Sequence, residues 1–178
     1  MARISTSELA LRLTAVEATG AVRRTMSRYM DLCDVPRAAF APEALASLFS
    51  DNAIWEGTGP AYSGKFGRIE GKEAILAMLC SYLPPSPHFR RNIHLLGEGH
   101  ITVAGETAAG SWIMQQLSEY RDGDQDLILA RLIVDFDIRN GNAAISHFRT
   151  EQLFSRTPSS AHITEPATPD LQNPKEYR

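Results

Sequence analysis

The 178-residue sequence predicts one α+β domain in which helices come first and a strongly curved antiparallel sheet then closes around a deep cavity. Two observations carry this. Apolar residues at helical spacing dominate up to the PPSP run at 84–87, and long segments of alternating character, broken by RDGD (121–124) and RNGN (139–142), dominate after it. Composition agrees: 43% hydrophobic and 22% charged residues suit one core and argue against wholesale disorder.

Residues 6 to 33 are rich in helix formers, and Val22, Met26, Tyr29, Met30 and Cys33 recur at spacings of three and four as one apolar stripe. Pro36 limits that helix, and Pro42, suited to a first turn, starts a short one in PEALASLFS. DNAIWEG (51–57) reads as a strand. GTGPAYSGKFGRIEG (57–71), with five glycines and a proline, reads as loop ending at Gly71, and KEAILAMLCSYL (72–83) as an amphipathic helix stopped by prolines. NIHLLGEGHITVAG (92–105) reads as a hairpin turning at GEG, and residues 107–154 as a three-strand meander. The domain is expected to span residues 1–155, its N-terminus a helical extension, with 156–178 a Pro-rich tail.

A net charge of −3 and a pI near 5.9 give no basic field for nucleic acid or anionic lipid, and Arg90–Arg91 alone cannot make one. Glu8, Arg12 and Glu17 interrupt any signal-peptide run, and no segment approaches the ~18 apolar residues of a membrane span. Cys33 and Cys80, each in a helix-like segment, read as reduced thiols. A cytoplasmic location is expected, without nucleic-acid or membrane partners.

RYMDLCD (28–34), LASLFSDNAIWEG (45–57), RIEGKEAI (68–75), the histidine of NIHLLGEG (92–99) and the strand pair separated by RNG follow one another over residues 15–154. In that order they resemble the NTF2-like superfamily, and within it the SnoaL-like group that includes scytalone dehydratase, bile-acid 7α-dehydratase and hexachlorocyclohexane dehydrochlorinase. The resemblance implies an NTF2-like cone, a curved mixed or antiparallel sheet packed on about three N-terminal helices, and chemistry without cofactor or metal. It implies that Asp34 stands for the dehydratase aspartate that closes the first helix, Tyr29 for the tyrosine five residues before it, and His94 for the catalytic strand histidine. Arg149, with Arg131 as second choice, resembles an arginine of the last strands, and His147 competes with Arg149 for that role. The superfamily also holds ketosteroid isomerases, polyketide cyclases, binding modules and dioxygenase β subunits, so fold alone does not set the reaction.

Geometry can test these residues. At roughly 100° per residue, Asp31 lies some 160° from the apolar stripe and faces water, whereas Asp34, about 100° away at the helix end, can tip into a cavity. A helix-end aspartate before proline is equally a turn residue. Strand alternation sends Asn92, His94 and Leu96 to one face and Ile93 and Leu95 to the other. In the meander, Trp112, Met114 and Gln116 share a face, as do Leu129, Arg131 and Ile133, and Ile145, His147 and Arg149. These mixed faces are expected to line the cavity, and the apolar set Ile128, Ala130, Leu132, Val134 and Phe136 to pack on helices, provided that no bulge intervenes. Trp112, Arg131, His147 and Arg149 are thus candidate substrate-binding residues. Their plainer readings are a core aromatic for Trp112, a structural salt bridge for Arg131, and a satisfied core histidine for His147. No HExxH or HxH pattern suggests a metal set.

The chemistry expected is a cofactor-free lyase or isomerase, dehydratase- or cyclase-like, acting on a hydrophobic, cyclic, polyketide- or steroid-like small molecule. His94 would be the base, Asp34 its orienting partner and Tyr29 a donor to the departing or developing oxyanion. The alternatives are a non-catalytic small-molecule-binding module and the β subunit of a ring-hydroxylating dioxygenase. A homodimer or homotrimer is expected, with Gln115, Glu119 and Gln152 suited to a polar contact.

Overall fold

A computed structural model describes residues 4–36, 42–62, 67–86 and 88–157, so the expected tail lies outside the described residues from 158 on. The Ser5 hydroxyl accepts the Glu8 amide at 3.1 Å, an N-cap bond that satisfies a first-turn donor and starts helix α1 (Thr6–Cys33). The stripe Val22, Met26, Tyr29, Met30 and Cys33 is buried, as its spacing predicts. Leu9, Leu13 and Val16, on the first turns, stay exposed.

Helix α2 (Pro42–Ala46) and strand β1 (Phe49–Thr58) follow, then strand β2 (Arg68–Glu70), helix α3 (Lys72–Cys80), and strands β3 (Phe89–Leu96), β4 (His100–Ala104), β5 (Thr107–Tyr120), β6 (Gln125–Arg139) and β7 (Asn142–Arg156). The seven strands form one open, mixed sheet in the order β2-β1-β7-β6-β5-β3, with β4 also on β5. Only β1 and β7 run parallel. This is the α+β plan read from the sequence, with the helices, α1 foremost, on the sheet's inner face. Among the described residues no helix is long and apolar enough to cross a membrane.

Two segments differ from expectation. The glycine-rich 57–71 stretch is more than loop: Pro60–Tyr62 make a 3-10 turn, and Arg68–Glu70 pair with Glu56–Ile54 of β1. NIHLLGEGHITVAG is not a hairpin. Strands β3 and β4 lie end to end along β5, β3 against residues 114–120 and β4 against 107–111, and the Gly97 amide still bonds to Ile113 at 2.9 Å. The real turn joins β4 to β5 at Gly105, whose φ of +62° suits glycine. Gly99 of GEG serves packing instead. A Cβ on Gly99 would stand 1.8 Å from the Trp112 ring and one on Gly110 2.2 Å from it, so the β3–β4 link and β5 are both bare where the indole lies.

Face assignment is where bulges matter. Along β6, Ala130, Leu132, Val134 and Phe136 are buried as expected, but Arg131 and Ile133 are exposed on the outer face. A sheet covered on one side only puts core and cavity on the same face, so the mixed set Leu129, Arg131 and Ile133 is the outside and not a cavity wall. In β7 the register slips between Asp135↔His147 and Phe136↔Ile145, which makes Ser146 an extra residue. Ile145 therefore points inward, but so do Phe148 and Thr150, while His147 and Arg149 turn outward. Gln152 is carried inward as well, away from the outer contact expected of it.

Candidate active site

Asp34 is brought to His94 by the chain's exit from α1. The helix ends at Cys33, Asp34 is extended (φ −74°, ψ 144°), and Val35 exchanges both backbone hydrogen bonds with Asn92, at 2.8 and 2.9 Å. That bridge lays the helix end beside β3. One carboxylate oxygen, Asp34 Oδ1, then accepts both the His94 backbone amide at 2.9 Å and the ring Nδ1 at 2.8 Å. The His94 side chain is 10% exposed and that of Asp34 31%, so the imidazole is held at the edge of the interior.

The ring's other nitrogen faces Asn92. Asn92 Oδ1 accepts from Gln116 Nε2 at 3.0 Å and from the Ser118 hydroxyl at 2.9 Å, which leaves the Asn92 amide nitrogen facing His94 Nε2 at 3.5 Å. A carboxylate only accepts, so the Asp34 contact places the ring proton on Nδ1, and in the neutral ring Nε2 presents its lone pair. The Asn92 amide nitrogen is oriented in keeping with that tautomer. The 3.5 Å contact is long and gives way easily to a substrate proton.

His94 and Asn92 border a cavity of about 410 Å³ between the inner sheet face, α1 and α3, and Asp34 stands behind the ring. Tyr29 also lines it, its ring tilted against Phe148 at 5.0 Å and edge-on to Phe49 at 5.8 Å. Burial, and next the neighbouring Cys33, push its hydroxyl well above the usual tyrosine range, so Tyr29 stays a protonated donor. The cavity thus holds a lone-pair base and a neutral hydroxyl donor on walls rich in apolar and aromatic side chains.

Residues 14–149 match the model of the SnoaL-like domain family. The chain belongs to that family. Similar solved structures include a type 2 hexachlorocyclohexane dehydrochlorinase, 19% identical with a TM-score of 0.70, where the match covers 88% of this chain and 99% of that one. An NTF2-like protein with a cystatin-like fold from Novosphingobium aromaticivorans is 20% identical with a TM-score of 0.68, over 85% of this chain and 92% of that one. A candidate scytalone dehydratase from the same organism is 16% identical with a TM-score of 0.65, over 79% and 87%. At such identities the likeness shows the fold, an NTF2-like α+β cone. A comparison with curated proteins returned no match.

In this SnoaL-like domain the other expected residues lie elsewhere. Trp112 faces inward but beyond the cavity, 4% exposed, over Gly99 and Gly110 and edge-on to Phe136 at 6.3 Å. Arg131 is on the outer face, cross-strand from Ile113 and Glu151. Arg149, also outside, bonds Asp135, and His147 meets Glu56 at 2.7 Å. That contact, with Arg68 on the far side, holds the Glu56 carboxyl below its usual range. Arg90 and Arg91 both pair with Glu119 outside, at 3.1 and 2.5 Å. Neither cysteine is in a disulfide. Among the described residues no three His, Cys, Asp or Glu side chains gather to hold a metal ion.

Asn92 and Gln116 share the alternation faces of His94 and Met114, so their place in the wall was open to sequence reading. Tyr62, Tyr120 and Asp126, also at the cavity, lie in turns or at strand ends where no periodic signal reaches.

Proposed function

We propose that the protein is a cofactor-free lyase or isomerase that removes a proton from an apolar, cyclic small molecule. His94 Nε2 takes the proton from a carbon beside a carbonyl or a leaving group. The C–H electrons become the new double bond, and a leaving group departs with its own pair or the proton is redelivered elsewhere. Asp34 holds the imidazolium formed, and the Tyr29 hydroxyl donates to the oxygen on which charge develops. One observation carries this reading: the 2.8 Å contact from Asp34 Oδ1 to His94 Nδ1, with Nε2 left as an acceptor. A cavity built only for binding does not require that bond. The dehydrochlorinase fold among similar structures adds halide elimination to water loss as a reaction to test.

The test is a panel of hydroxylated and chlorinated cyclic compounds, scored for water or chloride release and for isomerised product. With a turned-over compound in hand, Asp34→Asn is expected to lower kcat by at least about 10²-fold with little change in substrate affinity. The asparagine amide can donate to Nδ1 and favour the wrong tautomer. The ¹⁵N shifts of His94 should then lose the Nδ1–H signature; an unchanged kcat would remove Asp34 from the mechanism.

We also propose that the domain is a homodimer or homotrimer joined through the sheet's outer face. Ile93, Leu95, Ile113, Leu117 and Ile133 are all more than 40% exposed there, and Ile93 lies cross-strand from Leu117. Sedimentation equilibrium should give two or three protomers, and Leu117→Glu should shift the protein toward monomer. A monomeric wild type at tens of micromolar would overturn it.

A further inference from the structure

Two strands across from β3, on the same cavity wall, Tyr120 and Asp126 form a second polar pair that the mechanism does not use. The Tyr120 hydroxyl donates to Asp126 Oδ2 at 3.1 Å and the Thr157 hydroxyl to Oδ1 at 2.7 Å. Each donor occupies one oxygen, and a carboxylate has about four acceptor positions, so each oxygen keeps one. Among the described residues Asp126 has no ion-pair partner, and no Lys or Arg lines the cavity. A partly buried carboxylate without a cation favours a ligand that donates to it and repels one that brings negative charge.

Aromatic rings surround this pair. His88 stands edge-on to Tyr82 at 4.9 Å and to Tyr120 at 5.5 Å, and Phe89 lies 5.4 Å from Tyr120. They supply apolar surface to a ring-bearing ligand. Burial first, then the bond to Asp126, raise the Tyr120 pKa to about 12, so Tyr120 remains a donor and leaves the acceptor role to Asp126. Asp126 is cross-strand from Ser118, two strands across from β3 and two residues along from the row of His94 and Gln116, which places it roughly 12 Å from His94 at about 4.8 Å per strand and 3.4 Å per residue. A ligand of two or three fused rings with polar groups at both ends spans that distance.

We infer that Asp126 is a specificity-determining residue that receives a hydroxyl at the distal end of a neutral, ring-bearing ligand and excludes carboxylates and other anions. The inference rests on this cavity being the ligand site, and it narrows the substrate class to uncharged hydroxylated ring compounds. Arg131 and Arg149, the cations that could have held an acidic group, are outside.

Binding alone tests it, by calorimetry with 2-naphthol, 2-methoxynaphthalene and 2-naphthoate. Wild type should bind the naphthol about tenfold or more tighter than its methyl ether, with no measurable heat from the naphthoate. In Asp126→Ala the naphthol preference should fall below about threefold; in Asp126→Asn, which keeps shape and sheds charge, naphthoate should begin to bind. His94→Ala should keep the wild-type preference, so failure of the catalytic reading leaves this result standing. The inference is overturned if naphthol does not bind wild type at millimolar concentration, if the ether binds equally well, or if the preference survives in Asp126→Ala. Loss of the preference in His94→Ala would also overturn it, because the hydroxyl would then be donating to Nε2.

Discussion

Replacing His94 with alanine is expected to lower turnover by about 10²–10⁴-fold, the usual share of a positioned general base, while the domain stays folded. The variant loses the group that accepts the proton; Asp34, on the far side of the ring, cannot substitute from where it stands. Asp34 Oδ1 keeps its backbone bond to residue 94, so the carboxylate is not stranded and the stability cost should be about 1 kcal/mol. Ligand affinity should hold, because the cavity's apolar walls are untouched. Added imidazole, small enough to enter the space left by the ring, should restore part of the rate in proportion to its unprotonated fraction. His94→Gln, which fills the space without a comparable base, should stay inactive and gain nothing from imidazole. An alanine variant with wild-type turnover would remove His94 from the chemistry, and the binding-module reading would then stand.

The parts of this site that a sequence reader can find are those governed by local periodicity. The phase of α1 separates Asp31, salt-bridged to Arg28 in solvent, from Asp34 at the helix end, and β3 alternation puts Asn92 beside His94 on the inner face. What fails is whatever depends on the register between paired strands. The extra residue at Ser146 reverses the faces of β7, so Ile145 and Phe148 both point in although they are three apart. A second slip, between Leu129↔Phe154 and Ala130↔Gln152, has no local signature either. Arg131 misleads for a different reason: an arginine flanked by apolar residues looks buried until the opposite face is known to hold both core and cavity. GEG looks like a turn because glycine is the usual turn residue, and only the indole above Gly99 shows its purpose.

That indole carries the second large expected effect. Trp112→Ala should destabilise the domain by about 3–5 kcal/mol, since it empties a site enclosed by Gly99, Gly110 and Phe136 that backbone alone cannot refill. In a chain of this size that is a melting-temperature drop on the order of 6–20 °C. Gly110→Ala should cost about 1–3 kcal/mol by overpacking, because the new Cβ would lie 2.2 Å from Trp112 Cη2 and 2.7 Å from Cζ3, too close without moving a whole ring. The two effects should not add. The three atoms nearest that Cβ all belong to the indole, so Gly110→Ala in the Trp112→Ala background should cost under about 0.5 kcal/mol, and the double-mutant cycle should show strong coupling. A wall of the substrate site would behave in the opposite way, with ligand affinity falling and stability largely kept. Below its melting point, Trp112→Ala should bind cavity ligands as wild type does, because the indole stands beyond the cavity that His94 and Asn92 line. Selective loss of affinity would return Trp112 to the site.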